Sequence, residues 1–196
     1  MKRRFILWEV GSFFWVALAG SALHFAFELS EFWKPLALFS SVNESTWEHL
    51  KMYFWPGLIV ALVQYTYTRD ISNNYWLAKF ISLIVTPLGI IISYYGYLSI
   101  TLPLFGTGFF MMDLMTMVIG LSCGSIAAYK TMMTPKIKGL PKKYIFSGYL
   151  ILVMMFATFT YFPPEIFLFE NFFGYEYKGE YGILENYEPY RVFKRD

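Results

Sequence analysis

Five apolar runs divide the chain, at about residues 5–28, 47–68, 76–98, 108–130 and 143–162, with polar or glycine- and proline-containing connections between them. Each is close to the roughly 20 residues that an α-helix needs to cross about 30 Å of hydrocarbon. The pattern predicts an all-α, five-span transmembrane helix bundle over residues 1–162, followed by a short tail over 163–196. Pro56-Gly57 in the second run and Pro87 with Gly89 in the third should loosen or kink their helices, because proline lacks the amide donor. Gly120 and Gly124, continued by Ala127 and Ala128, make a small-residue stripe that lets a second backbone approach. Packing within the bundle is one use of it, and contact with a partner chain or a second copy is the other.

Composition agrees with lipid as the main solvent: 57% of residues are hydrophobic, 22% are aromatic and 15% are charged. A formal net charge of +2 gives no support to nucleic-acid binding. Charge matters by location. Lys2, Arg3 and Arg4 precede the first run, Arg69 and Lys79 flank the second connection, and Lys130, Lys136, Lys138, Lys142 and Lys143 crowd the fourth. The first connection carries Glu28, Glu31 and Glu44 against Lys34, and the third, around Leu102–Gly106, has no charge. Lysine and arginine bias orients membrane proteins, so the N-terminus is expected in the cytoplasm, the tail outside it, and the protein in the cell membrane as a multi-pass species.

Met1–Arg4, an apolar run and Ala17-Leu18-Ala19-Gly20 resemble a cleavable signal peptide, but Glu9 interrupts the run and favours a retained first span. The single cysteine, Cys123, excludes an intramolecular disulfide. The tail is tyrosine-rich, acidic to Pro189 and basic at Arg191, Lys194 and Arg195; the alternation over Tyr175–Gly182 suggests a short hairpin. Its aromatic content predicts that residues 165–190 lie over the outer end of the bundle. Five spans give an inverted-repeat transporter no natural halves.

With this orientation, His24 and Glu28 end the first span, Glu48 and His49 begin the second, and Asp113 lies near the start of the fourth, all on the outer side. Spans joined by one outer connection are antiparallel neighbours, so the two histidines share a depth. Ionisable groups at membrane depth usually face an interior or a water cavity. Three readings of this set stand side by side. Ser45-Thr46-Trp47-Glu48 is a capping box and the histidines are structural; or His24, Glu28, Glu48, His49 and Asp113 supply ligands to a divalent ion such as zinc; or a histidine and a carboxylate form a proton relay or a membrane-embedded hydrolytic pair. No complete catalytic motif is present. A non-catalytic subunit of a larger membrane complex is the alternative from another class.

The run Val42-Asn43-Glu44-Ser45-Thr46-Trp47-Glu48-His49-Leu50-Lys51, followed by Phe54-Trp55-Pro56, resembles the signature of an uncharacterised family of small prokaryotic multi-span membrane proteins. A later segment, from Phe162-Pro163-Pro164 through Leu168-Phe169 to Tyr181-Gly182-Ile183, is similar to that family's end. The resemblance implies an architecture and no established reaction.

Overall fold

A computed structural model describes residues 2–193; Met1 and the basic Lys194 and Arg195 lie outside the described residues. The fold is all-helical: α1 (Lys2–Leu29), α2 (Thr46–Thr68), α3 (Tyr75–Phe105), α4 (Phe110–Met133) and α5 (Lys142–Thr158), with no strand among the described residues. Three helices, not five, are long and apolar enough to cross a membrane: Arg3–Leu29, Tyr75–Phe105 and Phe110–Met133. The reasons differ for the other two. With 17 residues, α5 extends only about 26 Å. In α2 the sequence carries Glu48, His49, Lys51 and Gln64, and eleven of its 23 residues are buried, against six of 24 in α4. It is the inner helix, and its polar groups meet protein. The outer faces of the bundle are apolar, with Leu7, Phe14, Leu18, Ile92, Ile100, Phe110, Met111, Leu150 and Ile151 exposed.

The helices run alternately up and down. At the N-terminal end Arg4 pairs with Asp70 at 3.1 Å, in the α2–α3 connection, and Asn74 donates to the carbonyls of Thr131 and Thr134 at the end of α4. The third helix passes Pro103 and stops only where Gly106, at φ 71°, adopts the left-handed conformation and donates its N–H to the Leu102 carbonyl. The expected connection at 102–106 is therefore mostly helix.

Glycines set two close crossings. A Cβ on Gly120 would stand 2.4 Å from Ile90 Cγ1 and 2.7 Å from the Thr86 carbonyl oxygen, and one on Gly124 would meet Thr86 Oγ1. The Gly120/Gly124 stripe is thus taken up by α3 within the chain. On the other side of α2, Pro56 has no N–H to give the Met52 carbonyl four residues earlier. That oxygen instead faces α1 at Gly20, where a Cβ would lie 2.8 Å from it.

Two ion pairs are buried in the interior. Lys79 of α3 meets Glu9 of α1 at 2.6 Å, and Lys51 meets Glu48 at 2.6 Å, both within α2. Aromatic packing fills the end opposite the N-terminus: Trp47 stacks on Phe156 of α5 at 4.5 Å and on Phe169 of the tail at 4.7 Å. In place of a hairpin, the tail closes on one bridge between Glu170 and Tyr181. Left-handed turns at Gly174, Gly179 and Gly182 break the alternation.

Candidate metal centre

The start of α2 is built by its own sequence. Ser45 is extended, with ψ 151°, and its Oγ accepts the Glu48 amide at 3.3 Å, the N-cap arrangement expected from Ser-x-x-Glu. The reciprocal bond differs from a capping box, because Asn43 Oδ1 accepts the Ser45 amide at 2.8 Å and Glu48 Oε2 takes the Val42 amide at 3.0 Å. The cap orients the helix so that Glu44, one residue before it, faces His49, one turn after it. This is the spacing at which apolar residues staple a helix start; here the staple is ionic.

Glu44 stands between the two histidines. Its Oε2 lies 3.4 Å from His49 Nε2 and its Oε1 lies 3.8 Å from His24 Nε2. The imidazole centroids are 5.2 Å apart, and one ligand atom from each of the three residues falls within 4.8 Å of the others. His49 Nδ1 lies 2.9 Å from the Ser45 carbonyl oxygen, an acceptor for the proton on Nδ1, and its Nε2 is turned toward the Glu44 carboxylate, to which it donates in the metal-free protein. His24 Nδ1 is buried without a hydrogen-bond partner among the described residues. Burial pushes the Glu44 carboxyl up, but the hydrogen bond from His49 and the charges of His49 and His24 outweigh it and bring the group down to about 2. The two histidines thus face a carboxylate.

Of the residues singled out from sequence, the fold brings His24 and His49 together, leaves Glu28 on the wall of the adjoining cavity and places Glu48 and Asp113 elsewhere. Glu48 is 2% exposed and faces away from the imidazoles, with its Oε2 on Lys51 and its Oε1 accepting the Thr160 hydroxyl at 2.7 Å. Lys51 donates to the Ala37 carbonyl at 2.6 Å and to Thr160 Oγ1 at 2.7 Å, so its three donors are filled. Glu28 accepts the backbone amides of Val192 and Phe193 at 3.1 and 2.7 Å. Asp113 takes the hydroxyls of Tyr97 and, at 2.6 Å, Tyr175. Glu44 was visible in sequence as one acid of the first connection, and its staple position relative to His49 is the signal that identifies it.

The tail roofs this end. Asn171, 1% exposed, accepts the Glu44 amide at 3.2 Å and donates to Glu180 at 2.9 Å. Asn43 donates to the Gly182 carbonyl at 2.8 Å, and Tyr187 stacks on Phe32 at 4.3 Å. Phe32 reaches that ring because Glu31 and Phe32 both turn left-handed after α1, at φ 53° and 58°. Between roof and helices lies a cavity of about 60 Å³, lined by His24, Glu28, Glu44, Asn171, Tyr187 and Tyr190 among others.

A family of unknown function (DUF6512) matches residues 2–183, including the Val42–Lys51 run. No curated protein and no solved structure matches the chain.

Proposed function

The chain belongs to the DUF6512 family, and from that premise we propose that it is a multi-pass protein of the cell membrane that binds one divalent metal ion at its outer end through His24, Glu44 and His49. The observation that carries this reading is the convergence of two imidazoles and a carboxylate, with His49 already oriented by the Ser45 carbonyl. The 3.4 Å separation of His49 Nε2 and Glu44 Oε2 equals, to within about 0.2 Å, the edge of a tetrahedron around zinc with bonds of about 2.1 Å. The donor set suits zinc better than calcium or magnesium, which prefer oxygen. Three protein ligands would leave one position of a four-coordinate ion for water or a substrate, and the cavity beneath the tail is lined by two of the three, His24 and Glu44. Lysines concentrated in the α4–α5 connection support placing this end outside the cell, with the tail as its cover.

Metal analysis of protein purified in detergent without added metals or chelators tests the reading. One ion per chain is expected, lost in His24→Ala, Glu44→Ala and His49→Ala and retained in Glu28→Gln and Asp113→Asn. Metal-free parent protein that also fails to take up zinc on addition overturns it.

A further inference from the structure

The end of the bundle that holds the N-terminus collects cations that the chain itself does not neutralise. Lys51, Lys79, Lys178 and Arg191 each pair with a carboxylate. None of the five lysines between residues 130 and 143 does so among the described residues, and all five are exposed. Lys143 overlies the ring of Tyr144, at 5.2 Å. Arg3, Arg4 and Arg69 are exposed at the same end, and the acid beside them, Asp70, is taken by Arg4 at 3.1 Å.

The segment that carries Lys136, Lys138, Lys142 and Lys143 is fixed to the rest of this end. Asn74, just before α3, donates to the Pro135 carbonyl at 3.2 Å and accepts the Ile137 amide at 3.0 Å, and Asn73 donates to the Thr134 carbonyl at 3.1 Å. Apolar side chains are interleaved with the lysines: Ile137 is 45% exposed, Leu140 41% and Tyr144 61%. Water solvates the ammonium groups but not these three side chains. The boundary of a bilayer takes both, with the apolar groups among the acyl chains and the flexible lysine stems reaching the phosphates. Helix length sets the depth. α5 begins at Lys142 and its 17 residues extend about 26 Å, short of the roughly 30 Å of hydrocarbon. So short a helix meets both boundaries through local thinning or through flanking side chains that extend to them, which puts Lys142 and Lys143 at the level of the phosphates.

We propose that this end is a binding surface for anionic phospholipid: the lysines between 136 and 143 hold the phosphates of lipids with net negative charge, while Ile137, Leu140 and Tyr144 enter the acyl boundary. A zwitterionic lipid also presents a phosphate, but its own cation cancels the attraction, so the surface selects by the net charge of the headgroup. The inference rests on the multi-pass reading, holds for either orientation of the bundle and uses no residue of the metal centre.

Electron paramagnetic resonance of spin-labelled phosphatidylglycerol and phosphatidylcholine, with the full chain in phosphatidylcholine vesicles, measures how strongly each lipid is retained at the protein surface. The parent should prefer phosphatidylglycerol by about fivefold or more, the factor that one lysine contributes when it meets anionic lipid. Lys136→Gln/Lys138→Gln/Lys142→Gln/Lys143→Gln should lower that ratio at least about threefold, and Lys34→Gln/Lys178→Gln, at the opposite end, should leave it unchanged. Phosphate and chloride salts of equal ionic strength should weaken it alike; a loss with phosphate alone assigns the surface to the free anion and overturns the proposal. Equal retention of the two lipids by the parent, or an undiminished preference in the fourfold variant, overturns it while the multi-pass reading stands. A chain that alkaline washing strips from the vesicles overturns both.

Discussion

Thr160, in the turn after α5, donates its hydroxyl to Glu48 across 2.7 Å while accepting a hydrogen bond from Lys51 at the same distance, so a residue 112 positions away completes the charge pair at the start of α2. Lys51 is fully buried. Thr160→Val keeps the shape and removes both bonds, and should destabilise the protein by about 1–3 kcal/mol. Glu48→Gln leaves a buried ammonium without counter-charge and should cost about 3–5 kcal/mol, more than the loss of a helix cap alone. Glu48→Gln combined with Lys51→Met should recover much of that. Thermal unfolding in detergent measures all three; equal effects of the single and double changes would show that the charges are not coupled.

Acid should act on Glu44 with a defined sign. In the folded protein its carboxyl is held at about 2, below the ordinary carboxylate value of about 4.3. A lowered folded value means a stabilising contribution that is complete above the ordinary value and lost as pH falls from about 4.3 toward 2. Chelator-treated parent protein should therefore lose its advantage over Glu44→Gln across that window. Melting curves of the two that keep a constant separation down to pH 2 would contradict the assignment. Metal-loaded protein should show its own loss at higher pH, because protons compete with the ion for the imidazoles.

Gly120 and Gly96 lie on helices that face each other, yet should respond oppositely to alanine. At Gly120 the new Cβ would sit 2.7 Å from the Thr86 carbonyl oxygen, backbone that cannot rotate aside. Gly120→Ala should force α3 and α4 apart and cost about 1–3 kcal/mol. A Cβ on Gly96 meets nothing within 4 Å, so Gly96→Ala should be neutral or stabilise the helix by up to about 1 kcal/mol. Detergent melting temperatures that fall equally would mean the glycine contact is not tight.

The proposed orientation rests on the lysines of the α4–α5 connection. Single cysteines placed at Lys138 and Gly106, in a chain lacking Cys123, should react oppositely with an impermeant thiol reagent in intact cells: 106 labelled, 138 protected. The reverse result would invert the bundle and put the histidines inside the cell.

The helical order was legible because each apolar run is long and flanked by polar or glycine- and proline-containing residues, and the meeting of His24 with His49 followed from the outer connection that makes α1 and α2 antiparallel neighbours. Glu44 was harder to choose, because its position depends on non-helical backbone held by Asn171, 127 residues later. The Ser45 cap was readable from spacing, but the partner of Glu48 was not. Lysine near a helix end is usually solvated, and only the folded tail and the 3₁₀ turn at Lys34–Leu38 close the space around Lys51. The count of membrane-crossing helices was overestimated because the apolar runs were counted despite what interrupts them: α2 carries polar groups that meet protein, and α5 is only 17 residues long.

The contact between Gly20 and the Met52 carbonyl has a bearing on the histidines that stability alone would not reveal. Gly20 lies one turn before His24, and Met52 lies three residues after His49. The proline that leaves the Met52 oxygen without its helical donor, and the hydrogen that stands where Gly20 would otherwise carry a methyl group, together gauge how far apart the two imidazoles sit. Any side chain at position 20 acts as a shim under one end of a lever, widening the span between His24 and His49 while the rest of the bundle stays packed. Gly20→Ala should then weaken metal retention in equilibrium dialysis more than it lowers the melting temperature of the metal-free protein, and equal sensitivity of the two would remove the crossing from the control of the centre.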